Sequence, residues 1–268
     1  MLFIRSLLFN IVWYVNLIVQ MLVQTPFYFF LSHKKALDVP RRWAFSTHFF
    51  HRWLAGTKME ILGEENIPDY GCVVASKHQS LWDFYSIYAL LPDAAYILKS
   101  ELMKIPFFGW YVGYLDMIPI RRGDKGKALR GMLKESAKAL ERGRQILIYP
   151  EGTRTAPGAQ PNYRYGITRM YVELGCPVVP VALNSGLYWP RRKFVRHPGT
   201  IRAKFMEPIM PGLSAEEFAS ELERRVEEGC DELYWLAAQD EKQPPLGDAV
   251  KTRILAHSAR INGKQGEV

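Results

Sequence analysis

Paired cysteines and clustered metal ligands are absent from the sequence. Its 268 residues include three cysteines, Cys72, Cys176 and Cys230, which form no CxxC pair and no cysteine–histidine group with zinc spacing. Three scattered cysteines argue against a disulfide framework and fit buried, reduced thiols in a cytosolic body. We therefore predict no metal site. Internal repeats and low-complexity tracts are also lacking.

A nucleophile of the hydrolase type is missing as well. No Gly-x-Ser-x-Gly motif occurs, and Ser185 in "LNSG" lacks the flanking glycine. No nucleic-acid-binding motif is recognisable, so we expect no nucleic-acid partner. The formal net charge of +8 favours other anionic partners, such as phosphate head groups, an anionic membrane face or acidic carriers.

Charge is nearly absent from the amino-terminal segment, where Arg5 is the only charged residue before His33. The uncharged stretch 6–32 is long enough to span a bilayer, which requires about 20 apolar residues. Its polar residues share one helical face with Ser6: Asn10, Asn16, Gln20 and Gln24. We predict a helix that dips into the membrane, packs this polar face against protein and is interrupted or kinked at Pro26. A cleaved signal peptide is the disfavoured alternative, because no small-residue cleavage site follows.

A second helix is predicted after Asp38, where Pro40 is placed to open it. Phe45, Phe49 and Trp53 recur at i, i+4 and i+8 and form an aromatic face edged by arginine. This pattern indicates an interfacial membrane helix, with an ordinary helix packed on the core as the alternative. Basic residues in this region predict that the remaining chain lies on the cytoplasmic face of the membrane: Lys34, Lys35, Arg41 and Arg42.

Short β-rich runs alternate with helical stretches from about residue 58. This alternation predicts an α/β fold with a mixed, largely parallel sheet flanked by helices. A later helix is predicted to begin at a capping box formed by Ser214 and Glu217. We divide the chain into membrane-associated helices (1–57), an αβ domain (58–242) and a polar, loose carboxyl-terminal tail (243–268).

A histidine and an aspartate stand five positions apart in "SKHQSLWDF", where a predicted strand gives way to a helix. A turn there can bring Asp83 onto the imidazole of His78, so that one ring nitrogen stays protonated and the other accepts a proton. Without a protein nucleophile, such a pair suits general-base activation of a substrate hydroxyl. The alternative is structural: Ser80 and Asp83 have capping-box spacing, and His78 can be a hydrogen-bonded residue at a strand end.

The segment "EGTR", residues 151–154, follows another predicted strand, "QILIYP". If the two strands are parallel, the segment emerges at the same sheet edge as His78, where ligands of open parallel sheets bind. Gly152 permits close approach, Thr153 offers a hydroxyl and Arg154 offers a planar fork for phosphate. The alternative is a turn with a solvated Glu–Arg pair.

Further charged residues are candidates for the same edge. Glu151 is predicted to orient Arg154 or to contact a substrate hydroxyl. Arg121 and Arg122 follow the run "DMIPI" and add positive charge at this edge if that strand is parallel too.

Five segments resemble, in order and approximate spacing, the four blocks of the glycerolipid acyltransferases: "KHQSLWDF", "KSELMKIPFFGWYVG", "IPIRRGD", "YPEGTR" and "PVVPVALNSG". The resemblance covers roughly residues 58–210. It is greatest to the bacterial 1-acyl-glycerol-3-phosphate (lysophosphatidate) acyltransferases.

This resemblance implies an αβ acyltransferase domain held by amino-terminal helices on the cytoplasmic face of the bacterial inner membrane. It implies transfer of an acyl group from acyl-CoA or acyl-carrier protein to the sn-2 hydroxyl of lysophosphatidic acid, without a cofactor. It makes His78 the general base, Asp83 its orienting partner, and Lys99 a residue that stabilises developing negative charge or the acyl donor. It assigns the acceptor phosphate to one group of residues: Arg122, Glu151, Gly152, Thr153 and Arg154.

Two residues depart from the family pattern and bear on the acceptor. Arg121 stands where relatives often have an acidic residue, and Lys77 stands where many have asparagine. Glycerol-3-phosphate, another lysophospholipid and a lyso-aminolipid therefore stay open as acceptors. A membrane-bound, non-catalytic binding protein is the alternative from another class, although the intact His78, Asp83 and Arg154 argue against it.

Overall fold

Strands and helices alternate through the body of the chain in the computed structural model, which describes residues 1–120 and 125–265. The strands are β1 (Thr57–Leu62), β2 (Cys72–Ser76), β3 (Ala94–Lys99), β4 (Ile118–Ile120), β5 (Gln145–Ile148), β6 (Val178–Leu183) and β7 (Gly199–Phe205). The helices are α1 (Leu2–Tyr28), α2 (His33–Phe50), α3 (Trp82–Leu90), α4 (Phe108–Tyr114), α5 (Lys125–Glu141), α6 (Tyr165–Leu174), α7 (Ser185–Tyr188), α8 (Ala215–Gln239) and α9 (Asp248–Gln265). A π-helical turn, His51–Ala55, extends α2, and short 3-10 turns lie at Glu64–Asn66 and Ser100–Lys104.

The strands of the described residues form a seven-stranded sheet in the order β1-β7-β6-β2-β5-β3-β4. Neighbouring strands are parallel except β6 and β7, so β1 and β7 run against the others. The central strands β2, β5 and β6 are buried along their whole length, as parallel strands covered on both faces are. The predicted α/β class, with a mixed and largely parallel sheet, is confirmed.

The helix α1 turns its polar stripe toward the protein. Asn16 and Gln20 each donate to the hydroxyl of Ser46 on α2, at 2.9 Å in both cases. Pro26 lies in the last turn of α1, and the helix ends two residues later at Tyr28. Within the described residues, α1 is the one helix long and apolar enough to cross a membrane, and most of its apolar side chains are exposed. The predicted packing of the polar face is therefore confirmed.

The start of α2 was predicted wrongly. This helix begins at His33, so Pro40 lies inside it and does not open it. A proline inside a helix removes one backbone hydrogen bond. The buried side chains of Ala36 and Leu37 in the preceding turns offset that loss, because they pack against the core.

The aromatic face at the end of α2 is open to the surroundings. Phe45, Phe49 and Trp53 are 52%, 59% and 67% exposed. Large aromatic side chains in a contiguous row are rarely left in water. Their exposure favours the interfacial membrane helix over the core alternative, while Trp43 and Phe50 on the flanks pack against the core.

The carboxyl-terminal segment contains a helix where a loose tail was predicted. The capping box that opens α8 is confirmed, with the Ser214 hydroxyl accepting from the Glu217 N–H at 3.2 Å. Beyond it, α9 packs along α8, and Arg253 of α9 donates to Glu227 of α8 at 2.7 Å. The prediction failed because α9 is held largely by charged side chains and lacks a clear apolar periodicity. The three-part division of the chain stays a prediction.

Candidate active site

His78 and Asp83 meet beyond the carboxyl end of β2. Asp83 occupies the first turn of α3, and the Nδ1 atom of His78 lies 3.0 Å from its Oδ2 atom. The Asp83 side chain is fully buried, whereas the His78 side chain is 16% exposed. In this arrangement the carboxylate holds Nδ1 as a hydrogen-bond donor, and the Nε2 atom is left with a lone pair that can accept a proton.

Asp83 accepts hydrogen bonds from three further donors. Its Oδ2 atom accepts from the backbone N–H groups of Gln79 at 2.6 Å and Ser80 at 2.8 Å. Its Oδ1 atom accepts from the hydroxyl of Ser185 at the start of α7. These donors satisfy a buried carboxylate that would otherwise be costly to desolvate. Asp83 therefore fixes the turn before α3 and orients His78 at the same time, so the two interpretations of this residue are compatible.

Ser185 was not recognised as a site residue from the sequence, which tested it only as a nucleophile. The structure buries this hydroxyl and aims it at Asp83. The available signal was its position, because "LNSG" directly follows β6, and β6 lies parallel to β2. Two parallel neighbours end at the same edge, so a polar residue after either strand is a site candidate.

A tyrosine fixes the plane of the histidine ring. The rings of His78 and Tyr149 stack with their centroids 3.9 Å apart and an angle of 15° between their planes. Burial raises the pKa of Tyr149 well above its ordinary value, so the phenol stays neutral. His78 is thus held from one edge by Asp83 and from one face by Tyr149.

The segment of residues 151–154 lies next to the histidine, as the parallel arrangement of β2 and β5 predicts. The N–H of Thr155 donates to the His78 carbonyl at 2.8 Å and ties the two loops together. Glu151 is 3% exposed and accepts from Lys77 at 3.0 Å and from the Thr155 hydroxyl at 2.9 Å. Its carboxylate therefore holds this loop from the inside. The role of Glu151 in orienting Arg154 or contacting a substrate hydroxyl stays a prediction.

The remaining residues of this loop face outward. Gly152 has a φ of 66°, a left-handed conformation that favours glycine. Gly152 and Thr153 are exposed and Arg154 is partly buried. Burial, followed by the charges of Arg191 and Arg192, lowers the pKa of Arg154, whereas Asp83 acts in the opposite direction. The Arg154 guanidinium thus lies within electrostatic range of the Asp83 carboxylate.

Two other predicted site residues are placed less closely. Lys99 ends β3, which is parallel to β5, and its side chain is exposed at the same sheet edge. Arg122 and its neighbour Arg121 lie outside the described residues.

Lys77, one of the two residues predicted to depart from the family pattern, is buried directly before His78 in the chain. Its Nζ atom lies 3.0 Å from Glu151 and 2.6 Å from Glu227 of α8. Burial works to lower the pKa of Lys77, but the neighbouring Cys230, Glu227 and Glu151 outweigh burial and raise it. This lysine is therefore a charged, buried group that holds two carboxylates together.

An apolar cavity of about 250 Å³ opens beside the His78–Asp83 segment. Leu81 and Phe84 of that segment line it, together with residues from the two amino-terminal helices and the opposite wall: Trp13, Trp43, Tyr96, Tyr111 and Met117. Gln20 and Gln24 of α1 also line the cavity, and their amide groups are hydrogen-bonded within the polar stripe of α1 and to Ser46. The cavity is chemically suited to a hydrocarbon chain, because it presents almost no polar surface.

The sequence is similar to known acyltransferases. The sequence model of the acyltransferase family matches residues 58–184. A 1-acyl-sn-glycerol-3-phosphate acyltransferase from Pseudomonas aeruginosa is 37% identical over 178 residues, which are 66% of this chain and 68% of that protein. The chloroplastic 1-acyl-sn-glycerol-3-phosphate acyltransferase BAT2 from Brassica napus is 29% identical over 178 residues, which are 65% of this chain and 51% of that protein.

A solved structure shares the fold. The 1-acyl-sn-glycerophosphate (LPA) acyltransferase PlsC from Thermotoga maritima superimposes with a TM-score of 0.73 and 28% sequence identity. The match covers 87% of this chain and 98% of that chain, so it extends beyond the αβ body.

Proposed function

Because the chain belongs to the family of the 1-acyl-sn-glycerol-3-phosphate acyltransferases, we propose that it transfers a fatty acyl group from an acyl thioester to the sn-2 hydroxyl of lysophosphatidic acid. The product is phosphatidic acid, and the donor is acyl-CoA or acyl-carrier protein. The observation that carries this proposal is the 3.0 Å hydrogen bond between His78 and Asp83 beside a loop suited to phosphate. The reaction needs no cofactor, since donor and acceptor are both substrates.

His78 acts as the general base. Its Nε2 atom takes the proton of the acceptor hydroxyl while the oxygen attacks the thioester carbonyl carbon. The tetrahedral intermediate then collapses, the C–S bond breaks, and the imidazolium returns its proton to the leaving thiolate. Asp83 keeps the imidazole in the correct tautomer and orientation, and Lys99 stabilises the negative charge that develops on the carbonyl oxygen.

The acceptor phosphate binds at the loop after β5. Arg154 grips it through its planar fork, Thr153 donates its hydroxyl, and Gly152 lets the phosphate approach the backbone. Arg122 adds a second positive charge. Glu151 supports this site indirectly, because its buried carboxylate holds the loop in place.

The membrane supplies the acceptor. The exposed apolar surface of α1 and the aromatic face of α2 hold the protein on the bilayer. We place the active site on the cytoplasmic face of the inner membrane, where lysophospholipid and thioester donor meet. The apolar cavity between α1, α2 and α3 receives an acyl chain, because its lining residues also flank His78 and Asp83.

The test is an initial-rate assay of the purified protein in detergent. Lysophosphatidic acid is offered with acyl-CoA and, separately, with acyl-carrier protein, and glycerol-3-phosphate, another lysophospholipid and a lyso-aminolipid are compared as acceptors. We expect the greatest kcat/KM with lysophosphatidic acid. A greater value with another acceptor would overturn the acceptor assignment, and the absence of transfer to any acceptor would favour the non-catalytic binding protein.

The membrane association has its own test. Full-length protein should stay with membranes in high salt and be released by detergent, because burial of apolar surface is not screened by ions. A protein that begins at residue 57 should lose membrane association or become insoluble. Release of the full-length protein by salt alone would leave only a peripheral, electrostatic attachment.

A further inference from the structure

A short loop between α7 and β7 carries three adjacent cations that were not connected with the site by sequence analysis. Arg191, Arg192 and Lys193 are all exposed. Within residues 1–120 and 125–265, no ion pair joins these side chains or Arg154 to a carboxylate. Like charges held together without a partner repel one another, so the arrangement gains from a bound anion.

Two of these cations face the catalytic edge. The Nη1 atom of Arg191 donates to the carbonyl oxygen of Arg154 at 2.7 Å, so the basic loop contacts the loop after β5 directly. The charges of Arg191 and Arg192 also act on the Arg154 guanidinium, where they reinforce the effect of burial and lower its pKa. The Arg191 side chain therefore lies against the loop that carries Arg154, and the charge of Arg192 adds to the positive potential there.

The backbone of the basic loop is held in a strained turn. Arg192 has a φ of 58°, a left-handed conformation that is unfavourable for a residue with a side chain. The turn persists because the N–H of Lys193 donates to the Pro190 carbonyl at 3.2 Å and Arg196 donates to the Lys193 carbonyl at 2.7 Å. Strain of this kind often occurs at ligand sites, where the surrounding structure holds it.

The far end of the basic loop is fastened to the membrane helix α1. The Phe194 ring packs against Phe3 with centroids 4.9 Å apart. Asn10 donates to the Phe194 carbonyl at 3.1 Å, and the N–H of Arg196 donates to the Ser6 hydroxyl at 2.9 Å. The loop thus joins the one described helix suited to the bilayer with the catalytic edge, which is where the head group of a membrane lipid arrives.

We propose that Arg191 and Arg192 complete, with Arg154, the binding site for the phosphate monoester of the lipid acceptor. This inference rests on the proposed function for the identity of that acceptor. A phosphate monoester carries a charge of about −1.5 to −2 near neutral pH, so one arginine neutralises only part of it. A phosphodiester head group carries less negative charge and gains less from additional cations. The basic loop therefore selects acceptors with a terminal phosphate.

The experiment compares Arg192→Gln with Lys193→Gln. Both changes remove one positive charge from an exposed side chain of the same loop, and glutamine has no branch that would worsen the turn. Arg192 is next to Arg191, which contacts the Arg154 loop, and its charge lowers the pKa of Arg154. Lys193 is next to Phe194, which packs against α1. Lys193→Gln is therefore the matched control for a general change of surface charge.

Two quantities are measured for each variant. The first is the dissociation constant of lysophosphatidic acid in detergent without an acyl donor, which does not depend on turnover. The second is the pair of KM values for lysophosphatidic acid and for acyl-CoA. We expect Arg192→Gln to raise the dissociation constant and the acceptor KM by about 3- to 10-fold. This is more than the loss of an exposed ion pair causes and less than the loss of a buried hydrogen bond to a charged group. The donor KM should stay unchanged, and Lys193→Gln should change none of the three values by more than about twofold.

Each contrary result has a definite meaning. Equal effects of the two variants would overturn the inference, because they would show only a general surface charge. A raised donor KM with an unchanged acceptor KM would also overturn it, since the basic loop would then bind phosphates of the donor. Binding of lysophosphatidic acid that depends on Arg192, in a protein that transfers no acyl group to it, would uphold this site and refute the proposed function.

Discussion

Charged residues on the two sides of His78 differ in how they are partnered. On the inner side, Lys77 is 2% exposed and lies between Glu151 and Glu227, at 3.0 and 2.6 Å. Arg253 of α9 balances Glu227 at 2.7 Å. On the outer side, Arg154 stands with Arg191 and Arg192, and no described carboxylate lies within ion-pair distance of them.

The difference separates two uses of positive charge. A buried charge is costly unless it is paired and hydrogen-bonded, so the inner cations fix the geometry of the loops that carry His78 and Arg154. An unpaired, solvated cation costs little and remains available for an anionic ligand. Substitutions on the inner side should therefore mainly change the free energy of unfolding, and substitutions on the outer side should mainly change the affinity for ligand.

The largest effect on activity is expected at His78, which lies between the paired inner charges and the unpaired outer ones. His78→Ala should lower kcat by about 10² to 10⁴, because the acceptor hydroxyl loses its general base. The dissociation constant of lysophosphatidic acid and the thermal unfolding midpoint should remain close to those of the unchanged protein. A folded variant with near-normal turnover would remove His78 from the mechanism.

The next effect concerns the inner charges. Lys77→Met should lower the free energy of unfolding by about 3–5 kcal/mol, because the buried Glu151 loses the cation that compensates it and Glu227 keeps only Arg253. Denaturant unfolding in detergent measures this change. A variant as stable as the unchanged protein would show that Lys77 is not a structural ion. Glu151→Gln with Lys77→Met provides the matched control, because it removes the buried carboxylate that Lys77 compensates while Glu227 keeps its pair with Arg253.

On the outer side, Arg154→Lys should leave stability within about 0.5 kcal/mol, as for most surface substitutions. It should raise the KM for lysophosphatidic acid by about tenfold, since lysine keeps the charge but loses the two parallel hydrogen bonds of the planar fork. Steady-state kinetics with each substrate varied in turn measures this effect. A raised KM for the acyl donor in place of the acceptor would assign the loop of residues 151–154 to the carrier's phosphate.

The smallest effect is expected at an exposed ion pair between α8 and α9. Arg260 of α9 is 43% exposed and pairs with Glu228 at 3.1 Å and Asp231 at 2.9 Å. Arg260→Gln should cost less than about 1 kcal/mol, because the solvent screens exposed pairs. Activity should be unchanged. A loss of stability as large as that of Lys77→Met would mean that exposure does not separate structural from weak ion pairs in this protein.

Local patterns in the sequence predicted much of the fold and part of the site. The alternation of short apolar runs and helical stretches predicted the α/β class, and the uncharged amino-terminal stretch predicted α1 with its polar face turned inward. The spacing of His78 and Asp83 predicted their contact, since both lie in one turn. The start of α2 and the existence of α9 were missed, because both depend on packing against neighbouring elements.

Sequence by itself determined which chemical groups this protein possesses: an imidazole with a carboxylate close by, a tetrapeptide with a glutamate and an arginine, and an apolar amino terminus. Only the tertiary structure decided how those groups are used. It brought Ser185 to Asp83 across 102 positions and Glu227 to Lys77 across 150 positions. An arginine or lysine looks the same in a sequence whether it is buried and paired or exposed and free to bind. The distinction arises from long-range packing, because only packing sets which charges lose their water and which opposite charges replace it.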